Sequence, residues 1–381
     1  MEAITYPRFE FDSELSNAII SLERARAELD HGTTPPIVFF QLKELFELLT
    51  SIMSARIEGN RTSLLDAVTG AMEGRSSDTA PTEGVSEILN IQRGMAFIEA
   101  HANDGPLTHN FVRELHRIVV AGLHREGDLT PGAYRLGEVT ISQAQHRPPF
   151  PTDVFSDMSQ LLDLANEVVE PHKQLLQSAI VHHRFLWIHP FGNGNGRVSR
   201  LLTYAMLIRQ GFVSTTSYRP INPTAVFGAD RSGYYDNLAQ ADRLDNDGLI
   251  AWCTFVLEGL NTDLDRLRSL RDNSFVTKGL LHPAIERLHD SGRVTTRERD
   301  ALRIVADRSI VKAGELESAF PGSASTRSQA IKRLWDRGLL AHAEGPRSYR
   351  LVFAPSELTL HLIYQLDRAG FLPSILKDDL V

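Results

Sequence analysis

A histidine followed by a glycine-dense loop can set a general base beside a bound anion. Residues 189–197 have that composition: His189-Pro190-Phe191-Gly192-Asn193-Gly194-Asn195-Gly196-Arg197. An imidazole titrates near neutrality and can take the proton of a weak nucleophile such as a hydroxyl. Glycines let successive backbone N–H groups turn inward and form an anion-binding nest. The apolar run Leu201-Leu202-Thr203-Tyr204-Ala205-Met206-Leu207-Ile208 reads as a helix. Its N-terminus would aim further N–H groups and a positive dipole end at the same anion. A Gly/Asn-rich stretch between helices is ordinarily only a turn, and a lone histidine is ordinarily structural. Here the glycine density, interleaved with His, Asn and Arg, favours anion binding. Asn195 either holds the loop's shape or touches a phosphate. Arg197 and Arg200, three apart, share one face of the first helical turn and can both reach the anion.

The elements that must position this loop read mostly as helices. Ser13 to Leu29 has a helical apolar rhythm and ends at Gly32-Thr33-Thr34-Pro35-Pro36. Helices are expected over Phe40–Ile57, from Ser63 as cap through Val68, over Val85–Ala102 and Thr108–Leu123, then over Pro151–Val169, Pro171–Ile188, Val198–Gln210, Tyr234–Ala241 and Gly248–Leu270. Tyr134 to Ser142 instead alternates, with β-branched residues, between Pro131-Gly132 and Pro148-Pro149, which predicts a short strand or hairpin. In the last third, Thr296–Ala306, Ala313–Phe320 and Ser325–Arg337 predict three helices. A two-stranded pattern around Glu344-Gly345-Pro346 follows them. Three helices and a β-ribbon predict a winged helix. Its third helix would present Thr326, Arg327, Ser328, Gln329, Lys332 and Arg333 to a DNA major groove, with Arg347 and Arg350 on the wing at the phosphates. Protein–protein contact is the other use of such a module.

The chain has 381 residues, enough for two or three domains, and 42% hydrophobic content is ordinary for a globular protein. Its net charge of −8 is uneven, because residues 291–350 hold 12 Lys and Arg against 7 Asp and Glu. A basic module on an acidic body suggests a nucleic-acid partner for that module alone. The one cysteine, Cys253, excludes an internal disulfide framework and a cysteine-cluster metal site, and its apolar neighbours predict a buried thiol. No signal-peptide pattern opens the chain, and no run nears the ~18 apolar residues of a membrane span. A cytoplasmic protein with no membrane partner is the expectation.

The nonapeptide resembles the signature of the Fic family, His-Pro-Phe-x-(Asp/Glu)-Gly-Asn-Gly-Arg, and every position but Asn193 fits it. Gly132-Ala133-Tyr134-Arg135 and the segment Val139, Thr140, Ile141 and Ser142 resemble the family's target-docking flap. Ser232-Gly233-Tyr234-Tyr235-Asp236-Asn237-Leu238 resembles the segment that packs near adenine. Ser54-Ala55-Arg56-Ile57-Glu58-Gly59-Asn60 resembles the inhibitory motif (Ser/Thr)-x-x-x-Glu-(Gly/Asn) of members with an N-terminal inhibitory helix. Ser54 and Glu58 share one helix face. A carboxylate at a helix C-terminus opposes the dipole, so Glu58 calls for a cationic partner. The resemblance covers residues 10–260 and implies a mainly α fold: a Fic-type helical bundle with a β-hairpin flap, plus the C-terminal winged helix. The expected domains are an N-terminal helical region with the inhibitory helix (1–105), a catalytic core (106–260), a helical linker (261–290) and a winged-helix-like domain (291–381).

The resemblance implies a protein adenylyltransferase that moves AMP from ATP to a Ser, Thr or Tyr hydroxyl of a target protein or of itself. In that scheme His189 is the base. Gly194, Asn195, Gly196 and Arg197 hold phosphates, and Arg200 binds the γ-phosphate. Val139, Thr140, Ile141 and Ser142 align the target. Tyr234, Tyr235 and Asp242 lie near adenine. Ser54, Glu58 and Gly59 inhibit by pairing Glu58 with Arg200. Asn193 takes the place of the acidic metal ligand, and Mg²⁺ prefers carboxylate oxygen, so metal binding is expected to be weakened, with Mn²⁺ as an alternative ion. Two rival readings stand beside transfer: a nucleotide-binding, DNA-associated regulator with weak or no turnover, and a deAMPylase. A metal hydrolase on His182, His183 and His189 is disfavoured, because adjacent histidines point to different helix faces. Relatives often pair, so a homodimer is a further expectation.

Overall fold

The structure, a computed structural model, describes residues 4–28, 32–73, 81–141, 144–212, 223–343, 345 and 347–377. In chain order the helices are α1 (Glu14–Glu28), α2 (Pro36–Ile57), α3 (Leu64–Glu73), α4 (Glu83–His101), α5 (His109–Val119), α6 (Val154–Asn166), α7 (Pro171–Ile188), α8 (Asn195–Arg209), α9 (Pro223–Ala229), α10 (Arg231–Ala241) and α11 (Asn246–Ser269). A π-helical stretch (Phe275–Leu281) then leads into α12 (His282–Asp290), followed by α13 (Thr296–Arg308), β1 (Val311–Lys312), a 3₁₀ turn (Ala313–Leu316), α14 (Ala324–Asp336), β2 (Leu340–His342), β3 (Ser348–Leu351) and α15 (Thr359–Arg368). The protein is mainly α, as the sequence predicts. No helix among the described residues is long and apolar enough to cross a membrane.

Local chemistry starts these helices. Thr82 accepts the Val85 N–H at the head of α4, and Thr108 accepts the Phe111 N–H at the head of α5. Pro171 opens α7, where its missing N–H costs nothing. A capping box of Thr295 and Glu298 starts α13, and Ser323 caps α14.

Two compact units form: residues 1–30, 50–61 and 82–265 in the first, and residues 31–49, 62–81 and 266–381 in the second. In the first unit α7 and α8 pack on each other, α6 and α1 pack on α7, and α4 and α5 pack on α8. Val198, Leu202, Ala205 and Leu207 of α8 are all buried, and so are its Arg197, Ser199, Arg200 and Thr203, so this helix is central and its polar groups must find partners inside the protein. Trp252 of α11 ties into this core, donating its indole N–H to the Ala179 carbonyl at 2.6 Å. Cys253 beside it is fully buried, and burial pushes its thiol up to about 12.

In the second unit α12 packs on α13 and α15. The sheet has the order β1-β3-β2, antiparallel throughout, with Val311 opposite Tyr349 and Leu340 opposite Leu351. Leu302, Val305, Ile331, Leu334, Leu340 and Leu351 form its core. A closing β-ribbon follows the helices, but the helix expected over Ala313–Phe320 is only the 3₁₀ turn Ala313–Leu316, and β1 and α15 were not read from the sequence. A two-residue strand carries no detectable alternation.

One expectation is corrected. Residues 134–141 form no strand or hairpin, and the only sheet among the described residues lies at 311–351. The segment alternates as a strand should, but strands exist only through a partner, and the first unit offers this one none. Arg135 instead pins it to loop carbonyls. Ser142 lies outside the described residues.

Candidate active site

His189 ends α7 with φ 50 and ψ 62, a left-handed turn that swings the chain out of the helix into the loop. Its Nδ1 sits 3.3 Å from the Leu186 carbonyl, which fixes the proton on Nδ1 and leaves the Nε2 lone pair free. Burial lowers the imidazole to about 4, Arg135 adds to this, and Leu186 and Glu58 oppose it. His189 is therefore neutral at pH 7, the form a general base needs. Its backbone is held by Arg135, whose guanidinium donates to the His189 carbonyl at 2.8 Å, Pro149 at 2.6 Å, Gly137 at 3.1 Å and Ile188 at 3.3 Å.

The loop is braced from inside. Asn195 Oδ1 accepts the Phe191 N–H and its Nδ2 donates to the Phe191 carbonyl, both at 2.9 Å. Of the two roles open to Asn195, this geometry supports the loop-holding one. Gly194 has φ 76, which a side chain would strain, and it caps α8. Asn193 Oδ1 accepts the Gly194 N–H at 2.6 Å, so the oxygen expected to meet a metal is turned back into the loop. No group of three or more His, Cys, Asp or Glu able to hold a metal occurs among the described residues.

Arg200 is occupied by the Ser54–Glu58 motif. Its Nε donates to Ser54 Oγ at 2.9 Å, and its Nη2 to the Ser54 carbonyl at 3.0 Å and to Glu58 Oε1 at 2.6 Å. Burial pushes Glu58 up, but Arg200, Arg197 and His189 outweigh it and hold the carboxyl below its ordinary range. A Cβ at Gly196 would collide with the Glu58 carboxylate, so glycine there is what lets Glu58 lie across the start of α8. Gly59, with φ 98, turns the chain away immediately afterwards.

Arg197 is placed differently from the expectation. Its guanidinium is buried, 3.0 Å from Glu87 Oε1, and donates to the Glu126 carbonyl at 2.7 Å. Glu87 also accepts from Asn60 Nδ2 at 2.7 Å, and burial raises its carboxyl despite Arg197. In this arrangement Arg197 braces the fold through Glu87 and the Glu126 carbonyl, while its Nε and Nη1 donate no hydrogen bond among the described residues.

On the side expected to face adenine, Tyr234 is corrected. It is 1% exposed, and its hydroxyl bonds His182 Nε2 at 2.9 Å inside an aromatic cluster with Phe227 and Trp252. The ring is core and cannot stack on a ligand without unfolding that cluster. Tyr235 is 42% exposed, with the Arg231 guanidinium 5.2 Å from its ring centroid. Arg231 also donates to the Ile57 carbonyl at 3.0 Å, at the end of α2. Asp242 pairs with His183 at 3.0 Å. His182 instead bonds Thr203 and Tyr234, so the three neighbouring imidazoles have separate partners and converge on no common point. Val139 and Ile141 are half-buried and Thr140 is exposed.

Sequence reasoning missed His116, Asp128, Asn60, Glu87 and Arg231. One signal was available for His116. It falls on the buried stripe of α5 with Val112, Leu115 and Val119, and a polar residue in an apolar stripe needs partners. Glu87 and Asp128 reach the site through the fold and carry no local signature.

A helical bundle whose histidine base, glycine nest and helix-borne arginine meet at one helix junction defines a class of protein. This chain matches the Fic/DOC family over residues 106–207. It is 31% identical over 166 residues to the protein adenylyltransferase Fic of Nematostella vectensis, covering 42% of this chain and 35% of that protein. It is 30% identical over 204 residues to the protein of the same name from Aedes aegypti, covering 50% and 36%. The matched region thus spans about a third of these relatives' length. A Fic family protein from Desulfovibrio desulfuricans superposes with a TM-score of 0.55 at 21% identity, covering 91% of this chain and 98% of that one. A Fic-domain-containing signalling protein from Bacteroides thetaiotaomicron gives 0.54 at 22% identity, covering 67% and 97%. At such identities these two structures speak for the fold alone.

Proposed function

We propose that this protein is an adenylyltransferase, moving AMP from ATP to a hydroxyl of a target protein or of itself, held in check by Glu58. The observation that carries the reading is the orientation of His189. Leu186 holds Nδ1, Nε2 is free, and the glycine nest begins five residues on, at Gly194. In the step proposed, the target hydroxyl oxygen attacks the α-phosphorus and its proton passes to His189 Nε2. The bond from that phosphorus to the bridging oxygen breaks, and diphosphate leaves. The nest N–H groups and the α8 N-terminus offset the charge that develops on the transferred group. Arg200, once free of Glu58, would grip the terminal phosphate. Asn193 offers a neutral oxygen already used by Gly194, so the chain's own donors do not fit a resident metal and no step here depends on one. Tyr235 supplies the aromatic surface for adenine. The segment at 138–141, which joins no helix and no strand ladder, is free to take a target backbone added as a strand.

The test is mass spectrometry of the Glu58→Gly variant after ATP with Mg²⁺ or Mn²⁺. An AMP adduct is expected, stronger than in wild type and absent from Glu58→Gly with His189→Ala. An ATP-binding variant that forms no adduct on itself or on any protein of a cell extract, under either ion, would overturn the reading.

A DNA-associated role is supported by one observation in the second unit. We read its C-terminal elements as a winged helix, in which α14 exposes Thr326, Ser328, Gln329, Lys332 and Arg333. Arg347 on the connection between β2 and β3 is exposed as well. Arg327 does not join them, since it is buried against Glu317 at 3.2 Å. Salt-sensitive DNA retardation, lost in Lys332→Ala with Arg333→Ala, would support that role.

A further inference from the structure

Asn193 is the one residue of the loop that departs from the signature, and both of its backbone groups are captured by side chains from elsewhere. Its N–H donates to Asp128 Oδ2 at 3.0 Å, and its carbonyl accepts from His116 Nε2 at 3.1 Å. The same imidazole accepts the Gly132 N–H at its Nδ1, at 2.9 Å. Because Nδ1 accepts, the ring proton is on Nε2, and His116 is the neutral tautomer with one donor and one acceptor, both spent. Asp128 uses its other oxygen on Thr130, accepting the backbone N–H at 2.8 Å and the hydroxyl at 3.1 Å. His116 further stacks on Phe191 of the loop, with ring centroids 3.8 Å apart and planes 9° from parallel. Both side chains are nearly sealed from solvent, at 0% for His116 and 5% for Asp128. Gly192 fits the same picture, because a Cβ there would meet Asp128 Oδ2 at 2.9 Å.

We propose that His116 and Asp128 are positioning residues that lock the anion loop to the start of the docking segment, so that the nucleotide site and the target site are set as one rigid piece. The segment 128–132 leads directly to Tyr134 and Arg135, and Arg135 fixes the His189 carbonyl. Two buried connections therefore join the docking segment to the reacting loop. One runs through Arg135 to the base, and the other runs through His116 and Asp128 to the nest. Buried polar groups of this kind specify one geometry because an unmade bond costs more than an alternative can return. The kinetic consequence rests on the transferase reading, and the structural one does not.

The experiment is amide hydrogen exchange by mass spectrometry on the full chain, comparing His116→Phe, His116→Gln and Asp128→Asn with wild type. Phe keeps the stack on Phe191 and loses both hydrogen bonds. Gln loses the stack and keeps one donor and one acceptor. Asn turns one acceptor of Asp128 into a donor facing another N–H. His116→Phe and Asp128→Asn should speed exchange about tenfold in the peptides covering 128–135 and 190–196 together, with α7 and α11 unchanged. His116→Gln should return both segments to within about twofold of wild type. Acceleration in neither segment, in one alone, or equally across the whole domain would overturn the proposal. In a Glu58→Gly parent, His116→Phe should also lower kcat for labelling while the ATP KM holds. A parent that binds ATP and transfers nothing counts against the transferase reading, and the exchange result still decides the positioning role.

Discussion

Arg200 Nη2 of α8 lies 2.6 Å from Oε1 of Glu58, the first residue past the end of α2 and 142 positions away in the chain. The pair is not an ornament on a surface. Arg200 is buried, and its other contacts in the motif go to Ser54, so its Nε and Nη2 are both engaged by the motif. A triphosphate that needs this arginine must first displace a carboxylate that is held below its ordinary range.

Replacing Glu58 by Gly leaves a buried guanidinium short of its counter-charge. Melting temperature should fall by at least about 2 °C. ATP at a hundredfold over Kd should return about 2.7 kcal/mol to the variant and far less to wild type, where Glu58 competes. Differential scanning fluorimetry with and without ATP reads both. Equal ATP shifts in the two proteins would remove Glu58 as a competitor for the nucleotide.

The acid limb of activity should report His189. Its pKa in the folded protein is lowered to about 4, so the base form persists through neutral pH and is lost only as pH falls through that value. A profile of kcat/KM in the Glu58→Gly background, where the raising charge of Glu58 is gone, should bend at or below about 4 and not near the ordinary imidazole value of about 6.5.

Stability should respond to acid in two separate windows. His116, His182, His183 and His189 are all lowered, chiefly by burial, so between the ordinary histidine range and their folded values the unfolded chain binds protons that the fold does not. Stability therefore falls as pH drops below about 6.5. Glu58 is also lowered, but as a carboxylate held, against burial, in its charged form by Arg200. Its contribution is whole above the ordinary carboxylate range and is lost only as pH falls through its lower folded value. Melting curves from pH 7 to 3 should show the histidine decline in wild type and Glu58→Gln alike, with the second decline smaller in the variant, where Asp128 and Glu83 still contribute.

Arg135→Lys should separate positioning from binding. One ammonium cannot reach the four carbonyls that the guanidinium holds. Labelling of a target should fall about a hundredfold while ATP affinity stays within about twofold, because the base is misaligned and the nest is intact. Calorimetric ATP binding beside a labelling assay checks it. A matched loss of both would mean that Arg135 serves general stability instead.

The two adjacent tyrosines should behave as different kinds of residue. Tyr234→Phe deletes the bond to His182 and should cost about 1 kcal/mol of stability with no change in nucleotide affinity. Tyr235→Ala should leave stability alone and weaken nucleotide binding about tenfold, as loss of a base-stacking surface does. Reversed results would put adenine on the wrong ring.

The sequence by itself determined the reactive loop and the helices that carry it. His189, the nest glycines and Arg200 lie within twelve residues, and both flanking helices announce themselves through apolar runs with a proline start and a glycine break. The Ser54–Glu58 spacing on one helix face was legible for the same reason: local geometry follows from local sequence. Tertiary structure alone decided which charges meet. Glu87 found Arg197 and holds its guanidinium in the core, while Tyr234 was drawn into an aromatic cluster and Tyr235, its neighbour, was left outside. The flap was misread because alternation marks a strand's faces but not its partner. His116 and Asp128 had no motif, since two side chains that clamp one backbone residue from 77 and 65 positions away share no sequence pattern with it. Such contacts are selected by burial, where each polar group must find a partner, and burial is settled only when the whole domain has packed.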